Sequence, residues 1–575
     1  MALASALTLM ASDADADGAV QSLTNNQVYG VDELDSVKTD GRYLFVWDGR
    51  EIVVVRLHTA GEVKVVDRLA VEGTLHGFFL STGKLTVITS RPAPAPTPGG
   101  EGDAVVVIHP VWAFGGWGGA REIVVTVFDR GVFPMRAERA LSLDGSLLGA
   151  RMIGDHLFLF AQSQLWVLNG SVSFPSYTAD GVAHPAGPED IGYLPGSEGQ
   201  SLVITVFAVD VSSGGAPRVQ WTLGSPGHTI YVSRNSLFVS SSRVQPGSDG
   251  EYGTWIHKIP LRSREVACAS AGWVPGALHN QFSMDEHGGH LRVATTVRAL
   301  RAMSNTVTIL DGEMEPVGRL DGLAPGESIY AARFMGDRLY LVTFKKVDPL
   351  FVIDVSDPAA PRVLGTLKIP GVSDYLHPVA PGFVLGVGRD TADAGSFAWF
   401  QGLKLSLFDV RDVERPLEVA NYFIGDRGTW TPVRFDHKAF TWIPEYGLIV
   451  LPVHEFDIDE SGFPGGVPPS AFGQEVWQGA YVLRLSGEGG FRLLAKITHH
   501  DASAEPACHE YVYRSSESIV RSFGIGPRFY VVSQEYVTLH LGATGTAVGA
   551  VRLSLEEAEP LVCPQPRPVV IRIGD

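Results

Sequence analysis

The chain has 575 residues, of which 45% are hydrophobic and 19% charged, and its net charge is −18. This composition excludes a disordered or fibrous chain, and the length exceeds what one ordinary compact core needs. The acidic charge argues against nucleic acid and against an anionic membrane surface as partners. Glycine and proline number 65 and 36. A turn-rich chain with few charges predicts many short strands.

The chain starts with an apolar stretch, residues 1–11, which is similar to the end of a signal peptide but has no basic residue before it. We interpret residues 1–23 as a leader or signal remnant, residues 24–555 as one folded domain and residues 556–575 as a C-terminal tail. No apolar run is long enough to predict a transmembrane helix.

A unit of four strands recurs along the rest of the chain, as residues 150–160 and 332–342 show when they are compared. In each unit a turn precedes an alternating apolar strand, and a hairpin of two further strands follows. We place nine units and letter their strands A to D. The B strands are predicted to begin near Arg42, Lys84, His156, Ser236, His290, Arg338, Phe383, Leu448 and Arg528.

A four-stranded antiparallel sheet repeated in tandem is typical of the blades of a β-propeller. One such sheet cannot bury both of its faces, whereas blades packed face to face around an axis can. We therefore predict an all-β protein, a single large β-propeller of eight or nine blades. Propellers usually have four to eight blades, so either the ring is unusually large or one unit is not a blade.

The chain resembles a family of secreted bacterial and archaeal proteins with a C-terminal β-propeller domain distantly related to WD40 repeats. The resemblance covers roughly residues 24–540, and the matching segments are 24–46, 280–296, 332–378, 402–410, 425–430 and 435–440. It implies a secreted or envelope-associated propeller, and it implies no particular activity.

The long insertions all fall between strands B and C, at residues 91–121, 162–201, 243–253, 389–402 and 454–478. In an antiparallel blade the B–C and D–A connections emerge on the same face, so the insertions predict one decorated face. Trp112 and Trp117 lie in the first insertion, where they either form a stacking surface for sugars or an apolar partner, or pin the loop to the propeller.

Histidines recur at the start of strand A, in His76, His228, His279 and His437, and each has an aromatic residue three positions later, in Phe79, Tyr231, Phe282 and Phe440. His377 and His509 lie near strand A of units 7 and 9 in a less certain register. Because strand A is innermost, these imidazoles are predicted to meet at the mouth of the central channel. They predict a transition metal, Cu, Fe or Zn, on the axis, or alternatively a polar, water-filled channel.

Three other groups have chemistry that can be tested. His499, His500, Asp501, Cys508, His509 and Glu510 either bind a soft metal or form a solvated loop, and their spacing fits no standard zinc pattern. Asp457 and Asp459 resemble the start of a calcium loop, although Pro468 occupies the place of its last ligand. The acidic group Asp32, Glu33, Asp35 and Asp40 either neutralises Lys38 or lines the channel.

The three cysteines allow one disulfide, between Cys508 and Cys563 with Cys268 left over, or three buried thiols. The chain has no G-x-S-x-G elbow, no Walker A loop and no H-E-x-x-H motif.

Two functions remain, and whether the protein is an enzyme stays open. The first is a secreted or envelope-associated binding or scaffold module, whose B–C face engages an extracellular protein, a glycan or a surface component. The alternative is a redox or oxygen-dependent metalloenzyme with an axial histidine site.

Overall fold

A computed structural model describes residues 24–57, 63–92, 121–168, 171–193, 201–224, 229–244, 251–261, 270–299, 302–345, 348–395, 397–486, 490–500 and 516–554. Several predictions concern residues outside these ranges: the leader at 1–23, the tail at 556–575, Trp112, Trp117 and all three cysteines. Those predictions stay untested.

Nine antiparallel sheets follow one another along the chain, and each has four core strands in the order A–B–C–D. The protein is therefore an all-β propeller of nine blades, the larger of the two predicted numbers. The segments 150–160 and 332–342, which resemble each other in sequence, each form part of the A–B hairpin that opens their unit. Six three-residue 3-10 turns accompany the strands, and no described segment is a helix long and apolar enough to cross a membrane.

The first three blades contain strands β1 to β18. Strand β1 (Asp32–Glu33) precedes blade 1, which is β2 (Val37–Thr39), β3 (Tyr43–Trp47), β4 (Glu51–Leu57) and β5 (Val63–Ala70). Blade 2 is β6 (Thr74–Ser81), β7 (Lys84–Pro92), β8 (Arg121–Asp129) and β9 (Ala137–Asp144). Blade 3 is β10 (Ser146–Ile153), β11 (His156–Gln164), β17 (Leu202–Asp210) and β18 (Arg218–Gly224), with an insertion of β12 (Trp166–Leu168), β13 (Ser171–Ser173), β14 (Ser176–Ala179), β15 (Val182–Pro185) and β16 (Ile191–Tyr193).

The middle three blades are regular. Blade 4 is β19 (Thr229–Val232), β20 (Ser236–Val244), β21 (Tyr252–Pro260) and β22 (Ala271–Pro275). Blade 5 is β23 (Met284–His287), β24 (His290–Ala299), β25 (Ala302–Leu310) and β26 (Pro316–Leu323). Blade 6 is β27 (Ser328–Met335), β28 (Arg338–Phe344), β29 (Asp348–Asp354) and β30 (Arg362–Ile369).

The last three blades include the longest strands. Blade 7 is β31 (Val372–Ala380), β32 (Phe383–Asp393), β33 (Ala398–Asp409) and β34 (Leu417–Ile424). Blade 8 is β35 (Thr441–Ile443), β36 (Leu448–Asp457), β37 (Gln474–Leu485) and β38 (Phe491–Ile497). Blade 9 is β39 (Arg521–Ile525), β40 (Arg528–Val532), β41 (Tyr536–Leu541) and β42 (Ala547–Arg552).

The burial pattern explains why these segments are strands of stacked sheets. Strands B and C are covered on both faces, and the first six residues of β32 are all buried. Strand D is outermost, and β34 alternates between exposed and partly buried positions along its length. Val, Ile, Leu and Phe fill the middle strands because both of their faces contact a neighbouring blade.

Glycines on three outer strands make room for the next blade. A Cβ atom built on Gly272, Gly318 or Gly365 would lie 2.4, 2.0 or 2.2 Å from a backbone oxygen in the C–D turn of the following blade. Real Cβ atoms do not approach so closely, so the absence of a side chain lets each turn fit against the preceding D strand.

The insertion of blade 3 differs from the prediction of a single decorated face. Strands β14 and β15 extend the sheet of blade 2 beyond its D strand, and β16 pairs with the D strand of blade 3. Trp221 and Tyr177 help to form a small core beneath it. This insertion therefore lies over the rim, where it covers two outer edges that would otherwise expose unpaired backbone groups.

The ring closes between blades 9 and 1. Each of these terminal blades is built from contiguous residues, so their contact consists mainly of side chains. Phe523 and Tyr530 of blade 9 pack against Leu44 and Val46 of blade 1 in one buried cluster. Arg68 adds a hydrogen bond across this boundary to the carbonyl oxygen of Leu553.

Residues 24–36, which we call the axial segment, lie inside the ring. The side chain of Asn25 donates to the Tyr375 hydroxyl in blade 7 and to the carbonyl oxygen of His437 before blade 8, both at 2.8 Å. Gln27 donates to the backbone of blade 5, and Tyr29 accepts from Arg234 in blade 4.

The remainder of the axial segment continues around the inner strands. Strand β1 pairs with β10 of blade 3, and the carbonyl oxygen of Asp35 accepts from Phe78 of blade 2. A nine-bladed ring leaves a wide hub, and this segment fills part of it with paired backbone groups.

Candidate functional site

A cavity of about 500 Å³ lies on the axis of the ring. Its wall is formed by inner strands of blades 3, 4, 6 and 7, by the connections that precede blades 5 and 8, and by Glu33 and Leu34 of the axial segment. Residues 279–282 and 433–438 belong to D–A connections, so the cavity lies toward the face on which the B–C connections also emerge. Phe435 stands beside it with 79% of its surface exposed.

Glu33 is the most enclosed charge of this wall. Its side chain is 6% exposed, and Oε2 lies 3.7 Å from Arg151 Nη2 and 3.4 Å from His437 Nε2. Burial by itself would raise the pKa of Glu33, but Arg151, His437 and Lys438 outweigh burial and hold the pKa well below its usual value. Glu33 is therefore ionised and lies among basic side chains.

Two further carboxylates of the wall are each held by two cations. Asp374 accepts from Arg389 at 2.9 Å and from Arg434 at 2.8 Å. Asp436 contacts Lys438 at 2.7 Å and also Arg521. Burial tends to raise the pKa of Asp436, whereas Arg521 and Lys438 lower it, and the cations prevail.

Arg521 links the cavity wall to the axial segment. Its Nε and Nη2 atoms donate to the two carboxylate oxygens of Asp35 at 2.9 and 2.8 Å. The Asp35 side chain is 2% exposed, and this bidentate partner satisfies both of its buried oxygens. The sequence left two roles open for the acidic group, and both occur: Asp32 pairs with Lys38, whereas Glu33 and Asp35 lie inside the hub.

The structure brings together two of the six predicted histidine ligands. His279 and His437 line the same cavity. His76 opens β6 with an exposed side chain and is not part of the cavity wall. His228 and His509 lie outside the described residues.

His377 does not line the cavity and instead contacts the lining residue Tyr375. Its Nδ1 atom lies 2.9 Å from the Tyr375 hydroxyl, and its ring packs against Phe440. Burial, with Arg333 and His437 adding to it, lowers the pKa of His377 to about 3, so the imidazole is neutral.

The shared aromatic offset has a structural explanation. Phe79, Tyr231, Phe282 and Phe440 are all buried, and each anchors the start of its blade in the core. Within the part of the chain that the structure describes, no group of three or more His, Cys, Asp or Glu residues could hold a metal ion. The axial metal therefore stays a prediction: His279 and His437 share a cavity, but the described residues place no group of three possible ligands there.

The second histidine cluster separates into different environments. His499 is buried, with Nδ1 2.9 Å from Ser533 Oγ and Nε2 2.9 Å from Thr538 Oγ1. Both of its nitrogens are thus occupied by hydroxyl groups. His500 pairs with Glu517 at 2.7 Å. Asp501, Cys508, His509 and Glu510 lie outside the described residues.

The predicted calcium residues lie in the B–C insertion of blade 8. Asp459 caps a 3-10 turn and accepts from the backbone and hydroxyl groups of Ser461. Asp457 ends β36 beside Asp426 and Glu455, and burial together with these two acids raises its pKa. Asp459 is therefore used as a helix cap, and calcium binding by this pair stays a prediction.

A second surface feature lies on blades 7 and 8. We call it the aromatic ridge, and its members are Phe397, Trp399, Arg427, Phe456 and Phe472. Arg427 lies over the rings of Trp399 and Phe472, at 4.5 and 5.8 Å from their centroids. Phe397 meets Trp399 edge-on at 5.0 Å, and Phe456 meets Phe472 at 6.0 Å.

Long strands and short cross-links hold the ridge. The B–C hairpins of blades 7 and 8 use strands of 10 to 12 residues. Gln401 on one hairpin donates to the carbonyl oxygen of Pro469 on the other at 3.0 Å, and Trp430 stacks on His454 at 4.2 Å. Even so, Phe397 is 45% exposed and Phe472 is 64% exposed.

Sequence reasoning missed both the ridge and the ion pairs of the hub. Phe397, Trp399 and Phe472 do lie in insertions that were expected to carry function, and this location was the available signal. No local signal showed that Arg427, which is 28 residues from Trp399 and 45 from Phe472 along the chain, would join them, because that contact depends on how two blades pack.

Comparison with known proteins gives a consistent family. Residues 21–544 match the family model described as a beta propeller domain. The chain is 46% identical over 204 residues to an uncharacterized protein of Methanocaldococcus jannaschii, and 43% identical over 179 residues to one of Archaeoglobus fulgidus. The alignments cover 35% and 31% of this chain but only 31% and 27% of the two relatives.

Two solved structures align with this chain at low similarity. A eukaryotic initiation factor aligns with 10% identity and a TM-score of 0.30, over 72% of this chain and 89% of its own. The β-propeller domain of the Trilobed protease from Pyrococcus furiosus aligns with 8% identity and a TM-score of 0.31, over 74% and 98%. Neither likeness bears on function.

Proposed function

The chain belongs to the β-propeller domain family, and on that premise we propose that it is a binding module whose partner docks on the aromatic ridge. The observation that carries the proposal is a contiguous group of aromatic rings around Arg427 on the decorated face, of which Phe397 and Phe472 are exposed and the others partly buried. Rings that could pack into a core are instead presented to solvent by two extended hairpins, and such patches mark interaction sites.

The composition of the ridge favours a protein as the partner. Tryptophan, phenylalanine and arginine are enriched in the cores of protein interfaces, and Trp and Arg dominate their binding energy. Val467 and Val476 add exposed apolar surface from the same hairpin of blade 8. A glycan would instead bind the flat faces of the rings, and the test below distinguishes a glycan from a protein partner. The resemblance to secreted propellers supports an extracellular or envelope location, which fractionation of the source cells would check.

The test measures how much of the partner each variant captures from an envelope extract. The purified partner is then titrated against each variant to give the affinities. Trp399→Ala and Phe472→Ala should each weaken binding by about tenfold or more, because hot-spot truncation costs at least about 2 kcal/mol. Phe423→Ala is the matched control, since Phe423 is 53% exposed on the outer strand β34, away from the ridge.

Equal capture by all three variants would remove the ridge from the proposal. Saturable binding to a glycan array that only the ridge variants lose would replace the protein partner with a glycan. The metalloenzyme alternative has one supporting observation, the shared cavity of His279 and His437. Elemental analysis of protein purified without chelator tests it, and less than about a tenth of an equivalent of metal after reconstitution would exclude it.

A further inference from the structure

The axial cavity has an imbalance between hydrogen-bond donors and acceptors. Its three carboxylates already have partners: Asp374 is held by two arginines, Asp436 by Lys438 and Arg521, and Glu33 by the backbone of Gln27 and by nearby cations. Few strong acceptors of the wall are left to bind a cationic ligand.

The donors are not used up in the same way. Arg434 donates to Asp374 through Nε, and among the described residues no acceptor bonds to its two terminal amino groups. His437 Nε2 is buried and makes no close hydrogen bond, since the nearest acceptor described is Glu33 Oε2 at 3.4 Å. His279 lines the cavity with an exposed imidazole, and no hydrogen bond to its ring is described. A buried nitrogen such as His437 Nε2 is unfavourable without a close partner unless a ligand or water satisfies it.

The charges around the cavity point in the same direction. Seven basic side chains line it or directly contact a lining residue: Lys38, Arg151, Arg333, Arg389, Arg434, Lys438 and Arg521. Five carboxylates oppose them even when Asp32, which pairs with Lys38, and Asp35, which pairs with Arg521, are included: Asp32, Glu33, Asp35, Asp374 and Asp436. A basic hub inside a chain with a net charge of −18 is a local reversal that attracts anions.

We propose that the axial cavity binds a small organic anion, whose carboxylate or phosphate group is held by Arg434 with His279 and His437. A volume of about 500 Å³ falls within the range of small-molecule sites and excludes a macromolecule. The guanidinium fork of Arg434 matches either oxyanion in a bidentate manner, and the nearby Phe435 and Phe282 provide an apolar wall for the carbon skeleton. This site is separate from the aromatic ridge.

Isothermal titration at low ionic strength tests the proposal on the full chain, with citrate, glucose 6-phosphate, inorganic phosphate and neutral glucose as probes. We expect saturable binding of citrate or glucose 6-phosphate, and whichever binds assigns the carboxylate or the phosphate. Arg434→Met should weaken that binding by at least about tenfold. The affinity of Arg434→Lys should lie between those of the unmodified protein and Arg434→Met, because lysine keeps the charge but lacks the guanidinium fork.

Arg411→Met is the matched control, since Arg411 is a half-exposed arginine that pairs with Asp409 in a C–D turn. It should bind the anion as the unmodified protein does. Arg434→Met leaves Asp374 paired with Arg389, so the fold should persist, and circular dichroism would verify this. Lack of binding by both organic anions, equal binding of glucose, binding of inorganic phosphate as tight as that of the organic anions, or unchanged affinity in Arg434→Met would each overturn the proposal.

The two proposals can fail separately. Trp399→Ala should leave anion binding unchanged, and Arg434→Met should leave capture of the macromolecular partner unchanged. Loss of both activities in both variants would show a single continuous site and contradict the separation made above.

Discussion

His499 is a buried imidazole that two hydroxyl groups hold in place. Ser533 belongs to the B–C turn of blade 9 and Thr538 to β41, so the side chain joins the connection after blade 8 to the next blade. Burial, with a smaller contribution from His540, lowers the pKa of His499 to about 4. The residue therefore couples blade packing to the protonation state of one ring.

This coupling predicts a loss of stability in mild acid. An unfolded histidine has a pKa near 6.5, so between about pH 6.5 and pH 4 the unfolded chain binds a proton that the folded chain does not. The free energy of unfolding must fall as the pH drops through this window, by about 2 kcal/mol for His499 between pH 7 and pH 5. Urea midpoints at the two pH values measure the loss.

His499→Gln removes the titrating group, so its loss of unfolding free energy between pH 7 and pH 5 should be smaller by about 2 kcal/mol. His156→Gln is the control, because His156 is exposed at the start of β11. If His499→Gln and His156→Gln had the same pH dependence, His499 would not be the neutral buried group described.

At the scale of the strand, local sequence pattern was sufficient to locate the blades. Eight of the nine B strands begin at the predicted residue and the first begins one residue later, because buried strands between turns have a clear composition. The rim insertion could not be located in this way. Strand β14 pairs with β9 across more than 30 residues, and nothing in its own sequence specifies that partner.

The candidate site was predictable only in part for the same reason. His279 and His437 were found because they share a position in the repeat, whereas Arg434 and Arg521 acquire their roles through Asp374 and Asp35, which are 60 and 486 residues away. The axial segment precedes the first blade and has no counterpart in the repeat, so its path across the hub had no pattern to reveal it.

The D-strand glycines give a prediction about how one blade fits the next. In Gly365→Ala the new Cβ would meet the carbonyl oxygen of Val413 at 2.2 Å, so a backbone segment must move. We expect a loss of about 1–3 kcal/mol in the free energy of unfolding, as for other overpacked sites. Thermal and urea denaturation would measure it.

Gly312→Ala is the matched control for this prediction. Gly312 lies in the C–D turn of blade 5, and an added Cβ there would meet no atom within 4 Å. Its stability should stay within about 0.5 kcal/mol of the unmodified protein. Equal stability of both alanine variants would show that the blade contact is loose at Gly365.

For the whole molecule, the question is what keeps nine blades in a closed ring. The terminal blades meet through side chains, so this boundary has no shared sheet to hold it. The axial segment compensates from inside, because the Asp35 side chain binds Arg521 of blade 9, its carbonyl oxygen accepts from blade 2, and the neighbouring strand β1 pairs with blade 3. Closure of the ring thus depends on the buried cluster between blades 9 and 1 and on the axial segment.

This arrangement predicts that the boundary between blades 9 and 1 opens before the others. Phe523→Ala removes a ring that is 7% exposed from the closing cluster, and Phe408→Ala removes a ring that is 1% exposed from the cluster between blades 6 and 7. Both variants should lose about 3–5 kcal/mol of stability. The pattern of hydrogen exchange should differ between the two variants, because local opening occurs first at the weakest boundary between blades.

In Phe523→Ala we expect faster exchange confined to β2–β5 and β39–β42, since these strands separate when the closing cluster is weakened. In Phe408→Ala the blades on both sides stay tied to neighbours within a continuous chain, so exchange should rise only by the amount that global stability falls. Uniform acceleration across all nine blades in Phe523→Ala would mean that the ring unfolds as one unit and that the boundary between blades 9 and 1 does not open before the others.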